Sequence, residues 1–304
     1  MTETTAHDLR SSFSRISYAD LAENYRAAYD WFESFGFNVA VTRLQRYKSC
    51  VDELAEHFRR GTLDTAVFKR DFAHQVTALS EATEIMRIHK GLASLYSSGL
   101  RDKLQTVLSG KDGRPSPADF DPSRDTAFEL LLASRCQGAG LRVEIGIGAD
   151  LIIPLDGAEV FVECKRLKSP DNVRKRIKQG LKQLHRRYES ATAPLAARGI
   201  LALSITDLAN PEHGLITGNS PEDVSEKVHR HVYGFILRQQ FLWQHTQDRR
   251  TIGAFVELFA PSIIENENLF TTCHQFGVNN SCPQGTPDMS LLLRLARALV
   301  EQSV

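Results

Sequence analysis

Asp150, Glu163 and Lys165 are three charges set among residues that otherwise belong in a protein core. The segment that holds them, GADLIIPLDGAEVFVECKR from Gly148 to Arg166, reads as two strands joined at Asp156-Gly157, a dipeptide suited to a two-residue hairpin turn. Such a turn fixes the register: Ile153 faces Val160, Ile152 faces Phe161, and Asp150 falls opposite Glu163. Side chains alternate along a strand, so Lys165 shares the face of Glu163 and lies opposite Gly148, which has no side chain to crowd it. Directly opposed Cβ atoms stand roughly 4.5–5.5 Å apart, where like charges destabilise the pair. Two carboxylates so placed need a cation between them. Mg²⁺, with Mn²⁺ as its substitute, suits that position because it prefers oxygen ligands and is commonly held by one or two carboxylates plus water and substrate phosphate. Lys165 is near enough to contact the same phosphate or an attacking water. The other face of the hairpin, with Leu151, Ile153, Val160 and Val162, is wholly apolar, which confines the charges to one side.

The flanking elements must hold this hairpin in place. Upstream, DPSRDTAFELLLASRCQGAG offers Asp121 as an N-cap, Pro122 in the first turn, an apolar body and Gly138 or Gly140 as a stop, which together predict one helix. Glu129 shares a face of that helix with Leu132, Ala133 and Cys136, so it points inward. An inward glutamate needs a partner: a metal, a metal-bound water or Lys165. The alternative is a glutamate exposed at the helix edge. LRVEI, ADLII and VFVECK predict three strands, the apolar spacing of Val173, Ile177, Leu181, Leu184 and Tyr188 predicts a helix, and GILALSI predicts a fourth strand. Further strands are expected at GAFVELF and FTTCHQF. Before the Gly/Pro/Ser/Asp-rich stretch Ser109–Arg124, four segments (18–35, 39–60, 63–92 and 93–108) carry apolar residues at helical spacing. The expected organisation is a helical domain over residues 1–115 and an α/β domain over 116–304.

An acidic residue at the end of one strand, a Glu-x-Lys on the next and an upstream helical glutamate resemble the PD-(D/E)xK nuclease superfamily, also called restriction-endonuclease-like. Asp150 stands in GAD where the family often has Pro-Asp, ECK supplies Glu163 and Lys165, and AFELLLASR supplies Glu129. The match spans about Asp121–Ile205. It implies a restriction-endonuclease-like αβββαβ core carrying a mostly α-helical N-terminal domain, and a Mg²⁺-dependent phosphodiesterase. In the mechanism so implied, Asp150, Glu163 and the Cys164 carbonyl hold the metal. Lys165 orients or deprotonates water, and Glu129 completes the shell by holding Lys165 or a second metal through water. The substrate expected is DNA rather than RNA, cut endonucleolytically, with restriction or anti-phage defence as the biology by fold analogy and a homodimer as one assembly. The alternatives are a catalytically silent nucleic-acid-binding module, and an RNA-directed or signal-activated nuclease. Some exonuclease branches carry a helical Gln then Tyr. Gln183 precedes Tyr188 by five positions rather than four, and Gln179 lies one turn earlier.

Charge and composition set the surroundings. The stretch Lys165–Arg187 holds ten Lys or Arg against one acid, Asp171, a local net charge of +9 in a chain whose 37 basic and 37 acidic residues cancel. Arg166, Lys168, Arg174, Lys175, Lys178 and Lys182 are the residues expected to track a phosphate backbone, since no global field draws nucleic acid or membrane. Five cysteines without a CxxC pair argue against a disulfide framework or a structural zinc site. His229 and His231 are two apart, which does not suit ligation from one helix face. With no apolar signal core in its first residues and no run of ~18 apolar residues, the chain is expected to be cytoplasmic, with no membrane partner.

Overall fold

The computed structural model describes residues 6–8, 12–14, 16–62, 71–113, 120–146, 149–212, 214–239, 248–265 and 269–300. Two short strands, β1 (Ala6–Asp8) and β2 (Ser12–Ser14), precede helices α1 (Tyr18–Ser34), α2 (Arg43–Arg59), α3 (Phe72–Leu92) and α4 (Ser98–Leu108). There follow α5 (Pro122–Gly138), β3 (Glu144–Ile145), β4 (Leu151–Leu155), β5 (Ala158–Arg166), α6 (Val173–Ser190) and β6 (Ala197–Ser204). The chain continues through α7 (Thr206–Ala209), β7 (Ile216–Gly218), α8 (Pro221–Arg238), β8 (Thr251–Ile264), β9 (Leu269–Asn280) and α9 (Pro287–Val300). The protein is thus an α/β fold with one mixed sheet, ordered β1-β9-β8-β6-β5-β4-β3.

Local chemistry sets the boundaries. The Ser17 and Ser97 side chains accept hydrogen bonds from the amides of Asp20 and Leu100 and so cap α1 and α4. Asp121 caps α5 by accepting from the Arg124 amide, with Pro122 in the first turn, and Gly140 at φ 78° follows the end of that helix. Asp156 and Gly157 both have positive φ, 52° and 79°, as a type I′ hairpin turn requires. The register is the one the turn dictates, with Leu151, Ile152 and Ile153 opposite Val162, Phe161 and Val160. LRVEI is the one strand much shorter than its sequence suggests, pairing only through Glu144 and Ile145. It lies at the sheet edge, where Arg142 turns to an ion pair with Glu144 at 2.8 Å.

β3, β4 and β5 form an antiparallel meander, α6 crosses over, and β6 returns parallel to β5, with β8 parallel to β6 in turn. One sheet face, with Leu151, Ile153, Val160, Val162 and Cys164, packs into a core shared with α1 to α5 and α9. The other, with Ile152, Phe161, Leu201 and Leu203, packs under α6 and α8. The expected division near residue 115 is not a break in packing, because the first core runs from Tyr18 through α5 to Leu299. Residues 114–119 of the proline-containing stretch lie outside the described residues. No described helix is long and apolar enough to cross a membrane.

Buried charges join the helical half to the sheet. The Glu81 carboxylate on α3, 3% exposed, accepts from Arg43 Nε of α2 at 2.9 Å and from Arg124 Nε of α5 at 2.8 Å. Arg124 also reaches Asp121, which Arg166 of β5 contacts at 3.3 Å. Breaking a buried ion pair costs about 3–5 kcal/mol because the remaining charge is left uncompensated. Glu81→Ala is therefore expected to lower unfolding free energy by about that much, read as a fall in the urea midpoint with little change in slope.

Candidate active site

The geometry begins with a register and a pin. Asp150 immediately precedes β4, and its Oδ2 accepts the Cys164 main-chain N–H of β5 at 2.7 Å, so the carboxylate is held over the strand that carries Glu163 and Lys165. Glu163 is fully buried and Lys165 is 7% exposed, whereas 22% of the Asp150 side chain reaches solvent. Lys165 Nζ donates to the Cys164 carbonyl at 2.7 Å and lies 3.5 Å from both Asp150 Oδ2 and Glu163 Oε2. From α6, Arg187 Nε donates to Glu163 Oε1 at 3.1 Å.

The three predicted charges therefore converge. The cation between the carboxylates here is the Lys165 ammonium, supported by Arg187, so the pair is neutralised from within the chain. The point where the ammonium sits is also where two carboxylate oxygens and a main-chain oxygen approach one another. Among the described residues no group of three His, Cys, Asp or Glu side chains gathers as a metal cage. The donor set is instead two carboxylates and a carbonyl, all oxygen. These oxygen donors would fit a hard cation such as Mg²⁺.

Glu129 is brought to the same end of the sheet, but its partner is not Lys165. Lys103 of α4 forms a short ion pair with it, and their side chains are 17% and 14% exposed. Burial and then the nearby Asp150 charge push the Glu129 carboxyl up to about 7, against the pull of Lys103 and Lys165. Burial and Asp150 likewise raise Glu163, opposed by Lys165 and Arg187. Burial raises the Cys164 thiol as well, which leaves it inert beside the site.

Lys103 and Arg187 join the candidate site, Lys103 through Glu129 and Arg187 through Glu163, and the sequence alone did not single them out. Each breaks an apolar stripe: Lys103 sits among the buried Leu100, Leu104 and Val107, and Arg187 among Gly180, Leu184 and Tyr188. A cation at an inward helical position is the signal that would have found both.

Of the expected backbone-tracking residues, Arg174, Lys175, Lys178 and Lys182 are exposed along α6. Arg166 is not. Strand alternation turns it away from Lys165 into a buried cluster with Asp121, Asp125 and Asp207, the last at 2.5 Å, so its role is structural. Lys168 is half-buried, and its charge acts on Asp121 and Asp125. Gln179 is exposed and accepts from Arg176 at 3.3 Å. Gln183 is half-buried, and its Oε1 is enclosed without a hydrogen-bond partner, an acceptor available to a donor that the chain itself does not supply. Gly148, expected opposite Lys165, lies outside the described residues.

No family model, curated protein or solved structure matches this chain. The reading of the site therefore rests on its own geometry.

The raised Glu129 carboxyl has a definite pH signature. A folded-state value of about 7 exceeds the ordinary carboxylate range, so the folded protein holds this proton more tightly than the unfolded chain. Its contribution to stability is full below about pH 4.3 and is withdrawn as pH rises towards 7. The carboxyl ¹³C shift of Glu129 is expected to titrate near neutrality in the wild type, and at still higher pH in Lys103→Met.

Proposed function

We propose that this protein is a metal-dependent nuclease that hydrolyses phosphodiester bonds, with DNA as its substrate. The observation that carries this reading is the convergence of Asp150, Glu163, the Cys164 carbonyl and Lys165 at one point beside an exposed basic helix. The order α5-β3-β4-β5-α6-β6, with β6 parallel to β5, supports the restriction-endonuclease-like core that the sequence resemblance implies.

Asp150, Glu163 and the Cys164 carbonyl would hold Mg²⁺ or Mn²⁺. Bound there, the ion supplies acidified water and neutralises charge on the phosphate oxygens. The chain's own residues do the rest. Lys165, at the tip of a four-carbon stem, orients the attacking water and meets the negative charge that builds on the phosphate in the transition state. Glu129, with its carboxyl near neutrality, is matched to accept a proton at working pH. Asp150 is fixed by a main-chain amide and so reaches the reaction already oriented. Arg174, Lys175, Lys178 and Lys182 hold the phosphate backbone along α6.

One observation favours a second reading. Glu163 is already satisfied by Arg187 and Lys165, an internal neutralisation that a catalytically silent nucleic-acid-binding module would also show.

Incubation of circular and linear DNA with the protein in Mg²⁺, Mn²⁺ or EDTA separates the two. Cleavage is expected only with metal, nicking of the circle marks endonuclease action, and Lys165→Ala and Glu163→Gln are each expected to lower the rate by about 10²–10⁴-fold while remaining folded. Inertness on DNA and RNA, with salt-sensitive binding intact, would establish the binding module instead. Independently of turnover, Lys178→Ala and Lys182→Ala are each expected to reduce the slope of log affinity against log salt by about 0.9, measured by anisotropy in EDTA.

A further inference from the structure

The loop before α4 carries an exposed aromatic ring that the core does not account for. Tyr96 is 79% exposed and is followed by Ser97 and Ser98. One face of its ring lies on Phe35, with centroids 5.0 Å apart and planes within 15°. Phe35 in turn lies near-parallel to Phe37 at 6.2 Å and 11°. The two phenylalanines come together because Gly36 between them takes φ 81°, a left-handed conformation that reverses the chain directly after α1. Trp31 meets the edge of Phe35 at 5.5 Å and 90°, and both are buried. The Arg101 guanidinium lies 5.1 Å above Phe37. The result is a run of near-parallel rings, anchored in the core at Phe35 and ending in solvent at Tyr96.

Its place in the fold relates it to the candidate active site. Three residues after Tyr96, Gly99 packs so closely against β3 that a Cβ built on it would overlap the Ile145 carbonyl. Ile145 pairs with Leu151, the neighbour of Asp150. Four residues after Gly99, Lys103 pairs with Glu129. Tyr96 is thus tied, through one helix, to both the Asp150 and the Glu129 sides of the site. A three-residue span reaches about 11 Å at most.

Charge selects the ligand chemistry. The exposed acids Glu33 and Asp102 are close in sequence to Phe35 and Arg101 and offset the one cation on the rings, Arg101 over Phe37, whereas the exposed cations Arg174, Lys175 and Lys178 line the first half of α6. The helix lies against the site, because Arg187 donates to Glu163 and a Cβ built on Gly180 would stand 3.6 Å from Lys165 Cγ. One side of the site thus offers cations for a backbone, and the other offers ring faces. Base-on-aromatic stacking beside a cationic track is how single strands are held without sequence preference.

Resting on the nuclease reading, we infer that Tyr96, backed by Phe35 and Phe37, is a stacking platform for unpaired nucleobases next to the scissile phosphate, so that the preferred substrate is single-stranded or carries a single-stranded tail. The ring is held by Phe35 and needs no ordering when the base arrives, and a tyrosine side chain has few rotamers to lose.

The test is binding in EDTA of a single-stranded oligonucleotide, a tailed duplex and a blunt duplex, each labelled with 2-aminopurine. It compares wild type, Tyr96→Ala and Tyr96→Phe, with melting temperatures as the folding control. Stacking is expected to quench 2-aminopurine in the single-stranded and tailed ligands. Tyr96→Ala should weaken those two by about five-fold to 150-fold and leave the blunt duplex unchanged, and Tyr96→Phe should restore wild-type binding. Equal binding of all ligands by wild type and Tyr96→Ala would overturn the platform and leave the nuclease reading standing, with Tyr96 assigned to a protein contact. Failure of the wild type to bind any nucleic acid would overturn both.

Discussion

A carboxylate with no solvent exposure in the middle of a mixed sheet is the constraint around which this site is built. Glu163 lies on β5 with β4 on one side and β6 on the other, so water cannot satisfy it. An isolated buried charge of this kind would neutralise by taking up a proton, and burial together with Asp150 already pushes Glu163 in that direction. What opposes protonation is cationic and comes from two directions: Lys165, two residues along the same strand, and Arg187 from the helix that crosses over to β6. The sheet therefore cannot carry this glutamate without α6 docked on that face. The same docking brings the exposed cations of α6 to the site. Stability of the buried charge and delivery of a phosphate-binding surface follow from one packing event.

On the opposite face, α5 has an analogous role and is fixed at both ends. Near its start, Arg124 pairs with Glu81 of α3. Near its end, Arg135 donates to His274 Nδ1 at 2.6 Å, and Arg87 of α3 donates to the same nitrogen at 3.3 Å. With Nδ1 accepting from two guanidinium groups, the ring proton resides on Nε2 and is donated to Glu257 Oε1 at 2.7 Å. Burial and the two arginines hold this imidazole neutral. Glu129 lies between these anchors, so its position is set by an ion pair on one side and a hydrogen bond on the other, each a turn or more away, as well as by its own contact with Lys103. This is also why the helical half is not separable from the sheet. The residues that fix α5 come from α3 and β9, and the residue that answers Glu129 comes from α4.

How much of this the sequence revealed depended on range. The hairpin register was readable because Asp156-Gly157 permits few geometries and alternation puts Leu151, Ile153, Val160 and Val162 on one face. The helix carrying Glu129 was readable from Asp121, Pro122 and Gly138, which act within a few residues of themselves. The partners were not readable, because ion pairs such as Lys103 with Glu129, or Arg166 with Asp207, join residues 26 and 41 positions apart, and nothing local specifies them. Arg166 shows the cost of reading charge by tally. It lies in the most basic stretch of the chain, yet strand alternation turns it into a carboxylate cluster on the face opposite Lys165. The same alternation that placed Glu163 and Lys165 together applies one residue further on.

The internal neutralisation of the site has a consequence for how it would work. Lys165 is two residues from Glu163 on one strand, close enough to occupy the space between the carboxylates, and its flexible stem allows it to leave without moving the backbone. Arg187, arriving from α6, meets Glu163 through Oε1, whereas Lys165 meets it through Oε2. In the proposed function, a cation held by Asp150 and Glu163 would take the place of the Lys165 ammonium, and Arg187 would still compensate Glu163 through Oε1. The ammonium would stay tethered within a side chain's length of the carboxylates, where it could meet a phosphate. The division of labour between the two cations follows from which element carries each.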